Sequence, residues 1–232
     1  MNSSVRYPEM TGSDFIHACK DYAYLVNRKF PERGVLKLVG DRYRLSGDQR
    51  TVLYRGISSQ QRSGIRNSLR VSEIKGKELI IDGYNVLFTL LNYRLGKITF
   101  ISTDNFLRDA GSLHGKLHDE DTFSECVSLL AAYLVIKQPC RTDIYLDSPV
   151  SHSERHAQRI REELIRNKLT GECHVIKSAD WALRQIREGV IATSDTAIIE
   201  KAQVPVIDLP KEILNYAYKA EFPEINRLIT PG

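Results

Sequence analysis

Three apolar runs in this chain end in an aspartate, and that repetition limits the folds open to it. Leu79-Ile80-Ile81 runs into Asp82 and Gly83, Ile144-Tyr145-Leu146 into Asp147, and Val190-Ile191-Ala192 into Thr193-Ser194-Asp195. Short continuous runs rich in β-branched residues and bounded by turn formers mark strands buried on both faces of a parallel sheet. Ile98–Ile101, His174–Ile176 and Val204–Asp208 read as further strands. Apolar helical stretches alternate with them: one introduced by Thr122 and Glu125 and closed by Pro139, one running to Leu164 behind Ser151 as a cap, and one from Lys211 to Lys219. Strands alternating with helices predict an α/β domain, a parallel sheet flanked by helices and wound by right-handed crossovers.

In such a sheet the strands finish at a common edge, where open α/β folds place their chemistry. Asp82, Asp147 and Asp195 are far apart in sequence yet converge on that edge. One aspartate behind a strand is ordinarily a cap or turn former. Three together repel one another, and crowding them is costly unless a cation neutralises them. All-oxygen donors of this kind suit Mg²⁺ or Mn²⁺, so the three are the predicted metal ligands. A further acid is open among Asp104, Asp109, Glu125 and Asp208. Asp109 and Asp104 rank first because the loop after a strand sits near the sheet edge. Asp180 reads as a helix cap. His152 and His156, and likewise His114 and His118, are four apart without the glutamate of a zinc-protease helix; solvated or phosphate-contacting roles are expected for them. Neither phosphate-binding glycine motif occurs, so nothing local supports a dinucleotide or a nucleoside triphosphate.

Charge divides the chain. Residues 1–76 hold 14 Lys and Arg against 7 Asp and Glu, leaving 19 against 22 for the remainder. Between Arg42 and Arg70 lie seven arginines, no lysine and the single acid Asp48, with Tyr43 and Tyr54 interleaved. Guanidinium forks suit phosphates and their planes stack on bases. Nucleic acid is therefore the predicted partner of Arg42, Arg44, Arg50, Arg55, Arg62, Arg66 and Arg70, with an ordinary solvated face, or pairing with the acidic second domain, as the alternatives. If residues 60–70 are helical, Arg62, Arg66 and Arg70 share one face. Ser151 is added as a phosphate contact at a helix start. The expected organisation is a loose segment 1–12, a basic mainly helical domain 13–71, a linker 72–76, the α/β domain 77–219 and a tail 220–232. The helix from Ser13 buries Phe15, Cys19, Tyr22 and Val26; Val35–Val39 fits a strand pair or a second helix.

Cys19, Cys126, Cys140 and Cys173 are scattered without a Cys-x-x-Cys pair, which fits a reducing, cytoplasmic setting and no zinc ribbon. No signal-peptide pattern and no membrane-length apolar stretch is expected. A homo-oligomer stays open.

Ile81-Asp82-Gly83-Tyr84-Asn85 resembles the first-strand aspartate and following asparagine of the PIN/NYN-like nuclease superfamily, and Thr193-Ser194-Asp195 resembles its Ser/Thr-x-Asp element. The likeness covers roughly residues 77–219. It implies a five-stranded parallel sheet, a metal site at Asp82, Asp195 and Asp147, Asn85 to orient a water or a phosphate, and hydrolysis of RNA leaving a 5′-phosphate and a 3′-hydroxyl. With the basic segment that contains Leu38-Val39-Gly40-Asp41-Arg42-Tyr43-Arg44-Leu45, the whole arrangement resembles an uncharacterised prokaryotic, chiefly archaeal, family. The expected function is a metal-dependent ribonuclease. The alternatives are a catalytically inactive RNA-binding adaptor and a metal-dependent phosphohydrolase of small substrates.

Overall fold

The computed structural model describes residues 7–111 and 119–230. In chain order the strands are β1 (Arg70–Val71), β2 (Glu78–Asp82), β3 (Thr99–Ile101), β4 (Leu107–Asp109), β5 (Arg141–Asp147), β6 (Gly171–Ile176), β7 (Val190–Ala192) and β8 (Val206–Ile207). Two compact units form. One is made of Met1–Ser68, Leu95–Gly111 and Glu221–Gly232, the other of Leu69–Arg94 and Ser112–Ala220.

The second unit is the expected α/β domain. Its sheet has the order β1-β8-β7-β2-β5-β6, and all neighbours run parallel. Six strands stand where the resemblance implies five. The additional one is β1 at the edge, whose two residues, Arg70 and Val71, are too few to show any periodicity. β2 lies inside the sheet, with Ile81 paired to Ile144 of β5 and to Ala192 of β7. Alternation along β2 sends Leu79 and Ile81 to one face and Ile80 and Asp82 to the other. Beneath Ile80, Ile191 packs with Ala179, Leu183 and Ile198 from the short helices Ala179–Leu183 and Thr196–Ile199. The helices Gly83–Arg94, Glu120–Lys137, Ser153–Arg166 and Leu209–Tyr218 pack on one another, and the first also touches β2 and β5.

Gly83 is required at the strand-to-helix joint. A Cβ there would stand 2.9 Å from both the Tyr145 carbonyl oxygen and Ile144 Cγ2. The chain therefore passes from β2 directly into a helix, and Asp82 is held at the very end of the strand.

The first unit is helical with a small hairpin. Helices Ser13–Asn27, Glu32–Arg42, Gly47–Gly56 and Gln60–Ser68 surround Phe15, Tyr22, Val52 and Leu53, all removed from water. Val35–Val39 thus belongs to a helix. The core is completed by Phe100 from β3 and Ile225 from the helix Ile225–Ile229.

Three expectations change here. Ile98–Ile101 does not join the parallel sheet; β3 pairs antiparallel with β4, Phe100 opposite Arg108. A short apolar run fits either kind of strand, and Ser102-Thr103-Asp104-Asn105 supplies the turn. Part of the expected loose segment is ordered: Tyr7 and Met10 are buried, and the Tyr7 hydroxyl donates to the Lys97 carbonyl at 2.9 Å. The expected tail is also structural, with Ile225 buried and the Ile101 N–H donating to the Pro223 carbonyl at 2.9 Å. The chain thus passes between the units four times, first after Ser68, and residues 72–76 lie inside the second unit rather than forming a boundary. Among the described residues no helix is long and apolar enough to cross a membrane.

Candidate functional site at the sheet edge

Asp82 is the electrostatic centre of the second unit. It is 5% exposed, and burial together with the charges of Asp195, Asp180 and Asp147 pushes its pKa up to about 7. The opposing influence is one hydrogen bond from the Thr193 hydroxyl to Oδ2 at 2.9 Å. The register explains this: Ile81 pairs with Ala192, so Thr193 follows on the adjacent strand as Asp82 follows on β2. Asp82 also pairs with Tyr145, which places Asp147, two residues on, at the end of the same face.

The remaining acids are each fixed by a short helix. Asp195 caps Thr196–Ile199, its Oδ1 accepting from the N–H of Ala197 at 2.7 Å and of Ile198 at 3.1 Å. Asp147 Oδ1 accepts from the N–H of Ala179 at 2.8 Å. Asp180 lies one residue further along that helix; burial and the charges of Asp195 and Asp147 raise its pKa against the pull of Arg184, 3.3 Å away. It is not the cap, a place taken by Ser178, whose hydroxyl accepts from the Trp181 N–H. Asp180 is the acid that the sequence pattern missed. The signal was present in Ser178-Ala179-Asp180, a helix start directly behind β6.

Asn85 stands beside this group. Its Oδ1 accepts from the Ser194 N–H at 2.8 Å and from the Ser194 hydroxyl at 3.1 Å. That orients the amide and leaves the Nδ2 donor to serve a water or a phosphate oxygen. Among the described residues no three His, Cys, Asp or Glu side chains stand close enough to hold a metal ion as placed.

Residues 71–212 match a family described as a domain of unknown function, DUF5616, and residues 14–68 one described as a protein of unknown function, DUF434. The chain belongs to the DUF5616 family. It is 32% identical to an uncharacterized protein of Methanocaldococcus jannaschii over 205 residues, 87% of this chain and 97% of that protein. No solved structure matches it. Asp82, Asn85, Asp147, Asp180 and Asp195 all fall inside the DUF5616 match.

Asp104 and Asp109 fall inside that match too, yet belong to the first unit and act there as structural anions. Asp104 is 1% exposed and forms ion pairs with Arg66 at 2.9 Å and Arg108 at 2.7 Å, which hold its pKa below the usual range against desolvation. Asp109 accepts from the Gly111 N–H at 2.9 Å and is ion-paired with Arg55 at 3.4 Å. Glu125 pairs with Arg94, and buried Asp208 caps Leu209–Tyr218 through the Lys211 N–H.

The arginines of this DUF5616 chain do not form the expected array. Arg66 is fully buried against Asp104, Arg62 is paired with Glu32, and Arg70 lies on β1 beyond the end of Gln60–Ser68, so the three share no helical face. Arg50 bonds the Leu45 carbonyl and Asp41, and Arg55 the Asp109 carbonyl at 3.0 Å. Arg42, Arg44 and Arg70 are exposed. Ser151 is exposed in the turn before Ser153–Arg166 and does not cap it; His152 is the cap residue and makes no side-chain cap bond. His156 is neither solvated nor phosphate-facing: it is 1% exposed, hydrogen-bonded to the Tyr84 hydroxyl at 2.9 Å and packed at a tilt against the Phe123 ring. His114 and His118 lie outside the described residues.

Proposed function

We propose that this chain is a divalent-metal-dependent ribonuclease whose reaction centre is the aspartate edge of the parallel sheet. The observation that carries it is the contrast between two buried aspartates. Asp104 is neutralised by two arginines. Asp82, also buried, is acted on by the charges of three further carboxylates and receives one hydrogen bond from a hydroxyl. A buried anion without a counter-charge is costly, and a divalent cation offsets that cost.

The donor chemistry suits such an ion, and holding it would draw together carboxylates that stand apart among the described residues. Every candidate donor is an oxygen, the preference of Mg²⁺ and Mn²⁺. Asp82, Asp147 and Asp195 would hold it, with Asp180 adjacent. When bound, the ion supplies a Lewis acid for a phosphodiester oxygen and for a water. The protein's own part is positional. Asp147 and Asp195 are each pinned through Oδ1 to a helix N–H, Thr193 fixes Asp82, and Ser194 aims the Asn85 amide. The exposed Arg42, Arg44 and Arg70 remain for contact with an RNA backbone. In this proposal the protein works in the cytoplasm.

A second proposal, an RNA-binding adaptor built on a nuclease-like fold, is favoured by one observation: no three potential ligands stand together as placed among the described residues. A phosphohydrolase of small substrates would use the acids alone. Incubation of structured and single-stranded RNAs with Mg²⁺ or Mn²⁺ separates these. The nuclease proposal expects cleavage that EDTA, Asp82→Asn and Asp195→Asn each abolish. RNA bound without cleavage by all three proteins supports the adaptor.

A further inference from the structure

The first unit carries a cleft of about 530 Å³, within the range of roughly 300–1,000 Å³ that holds small ligands. Residues of Ser13–Asn27, Gln60–Ser68, the turn after β3 and Ile225–Ile229 line it, and all belong to that unit. Its chemistry is unusual for a surface so rich in charge. Among the described residues that line it there is no carboxylate; amides and hydroxyls predominate, with Lys20 the single charged group.

The amides are half used. Asn27 accepts from the Gln60 N–H at 2.7 Å, and Asn105 donates to Asn67 at 3.1 Å. Asn226 donates to the Thr103 carbonyl at 3.4 Å. This leaves the Nδ2 groups of Asn27 and Asn67 as donors, the Oδ1 atoms of Asn105 and Asn226 as acceptors, and both ends of the Gln60 amide, around one concavity. Their positions are set from beneath. The Thr103 hydroxyl pairs with Ser63 at 2.8 Å and accepts from the Ser58 N–H at 3.0 Å. Asp104, between Thr103 and Asn105, is locked by Arg66 and Arg108. At the rim Tyr24 is 58% exposed, with the Arg28 guanidinium 4.8 Å from its ring centre.

We propose that this cleft binds an unpaired base of single-stranded RNA. Side-chain amides supply the paired donor and acceptor that a base edge needs. An exposed tyrosine with an arginine is a stacking platform of positive charge, Lys20 suits the attached phosphate, and the lack of a lining carboxylate spares that phosphate repulsion. The proposal takes the identity of the polymer from the ribonuclease reading but needs neither the metal nor catalysis.

The test is fluorescence anisotropy of short labelled RNA homopolymers on the full chain in EDTA, comparing the native protein with Tyr24→Ala, Gln60→Ala and Asn67→Ala. These side chains are exposed, and circular dichroism checks that each variant folds. Expected are binding of single strands in preference to duplex, unequal affinities for the four bases, an affinity loss of about tenfold in Tyr24→Ala, and a narrower spread among bases in Gln60→Ala and Asn67→Ala. Equal binding by all four proteins overturns the proposal, as does indifference to strandedness or the absence of binding. Metal-dependent cleavage lost in Asp82→Asn, with RNA affinity unmoved in Tyr24→Ala, sinks the cleft and keeps the nuclease; the converse result does the opposite.

Discussion

The Thr193 hydroxyl donates to Asp82 Oδ2 at 2.9 Å from the neighbouring strand. It is the hydrogen bond that favours the charged form of a carboxylate otherwise pushed toward neutrality by burial and by like charge. Thr193→Val keeps the β-branched shape and removes the donor. Its expected effects are a loss of about 1–2 kcal/mol of stability and a further rise in the Asp82 pKa. The acid limb of the pH–rate profile for RNA cleavage then moves to higher pH, while Thr193→Ser restores the native profile.

The raised pKa also makes a stability claim. Asp82 titrates near 7 in the folded protein and at roughly 3.9 in an unfolded chain. Between those values the folded state binds more protons, so the contribution of this group declines as pH rises from about 4 to about 7. Asp82→Asn removes that penalty. It is expected to stabilise the protein by on the order of 2–4 kcal/mol at pH 8 and by close to nothing below pH 4. Thermal unfolding at the two pH values checks it; destabilisation at pH 8 rules out an uncompensated carboxylate.

Metal binding should remove the proton from Asp82. Mn²⁺ is expected to raise the Tm of the native protein at pH 8 and to leave Asp82→Asn unmoved. At pH 6, below the Asp82 pKa, affinity falls and calorimetry in buffers of different ionisation enthalpy reads about one proton released per ion. Equal proton release by the native protein and Asp82→Asn would exclude this carboxylate as a ligand.

Asp104 gives the opposite sign. Its pKa is depressed, chiefly by Arg108 and Arg66 working against desolvation, so its stabilisation is present above the unfolded value of roughly 3.9 and is lost as pH falls through the folded one. Asp104→Ala leaves two buried guanidiniums without their carboxylate, at a cost of about 3–5 kcal/mol. Urea titrations of Asp104→Ala and Asp82→Asn at pH 8 should shift the midpoint in opposite directions. A shift in the same direction would mean that the two aspartates are not differently compensated.

The strand-to-aspartate pattern was legible because its cause is local. An apolar run with Gly83 behind it can be read residue by residue, and so could Thr193 and Asp195, since parallel register brings equivalent strand ends together. Asp180 escaped because its place depends on where β6 ends and on Ser178, not Asp180, acting as the cap. Asp104 and Asp109 were misplaced for a different reason. Nothing in Ile98–Ile101 says whether such a strand joins the large sheet or folds back on β4. The arginines show the same limit. Spacing aligns Arg62 and Arg66, but only the buried carboxylate of Asp104 turns Arg66 inward, and that contact spans separate segments of chain.

The first unit draws Ile225, buried in its core, from a helix that follows the whole α/β domain in sequence. During synthesis the helices Ser13–Asn27 to Gln60–Ser68 leave the ribosome early, yet their shared core stays open until β3 and then Ile225 have been added. The second unit can meanwhile close on its own residues, so the part of the protein made first is the part completed last. A fragment ended at residue 76 would therefore carry the apolar faces of Phe15, Val52 and Leu53 without the Phe100 and Ile225 that cover them, and should aggregate rather than fold.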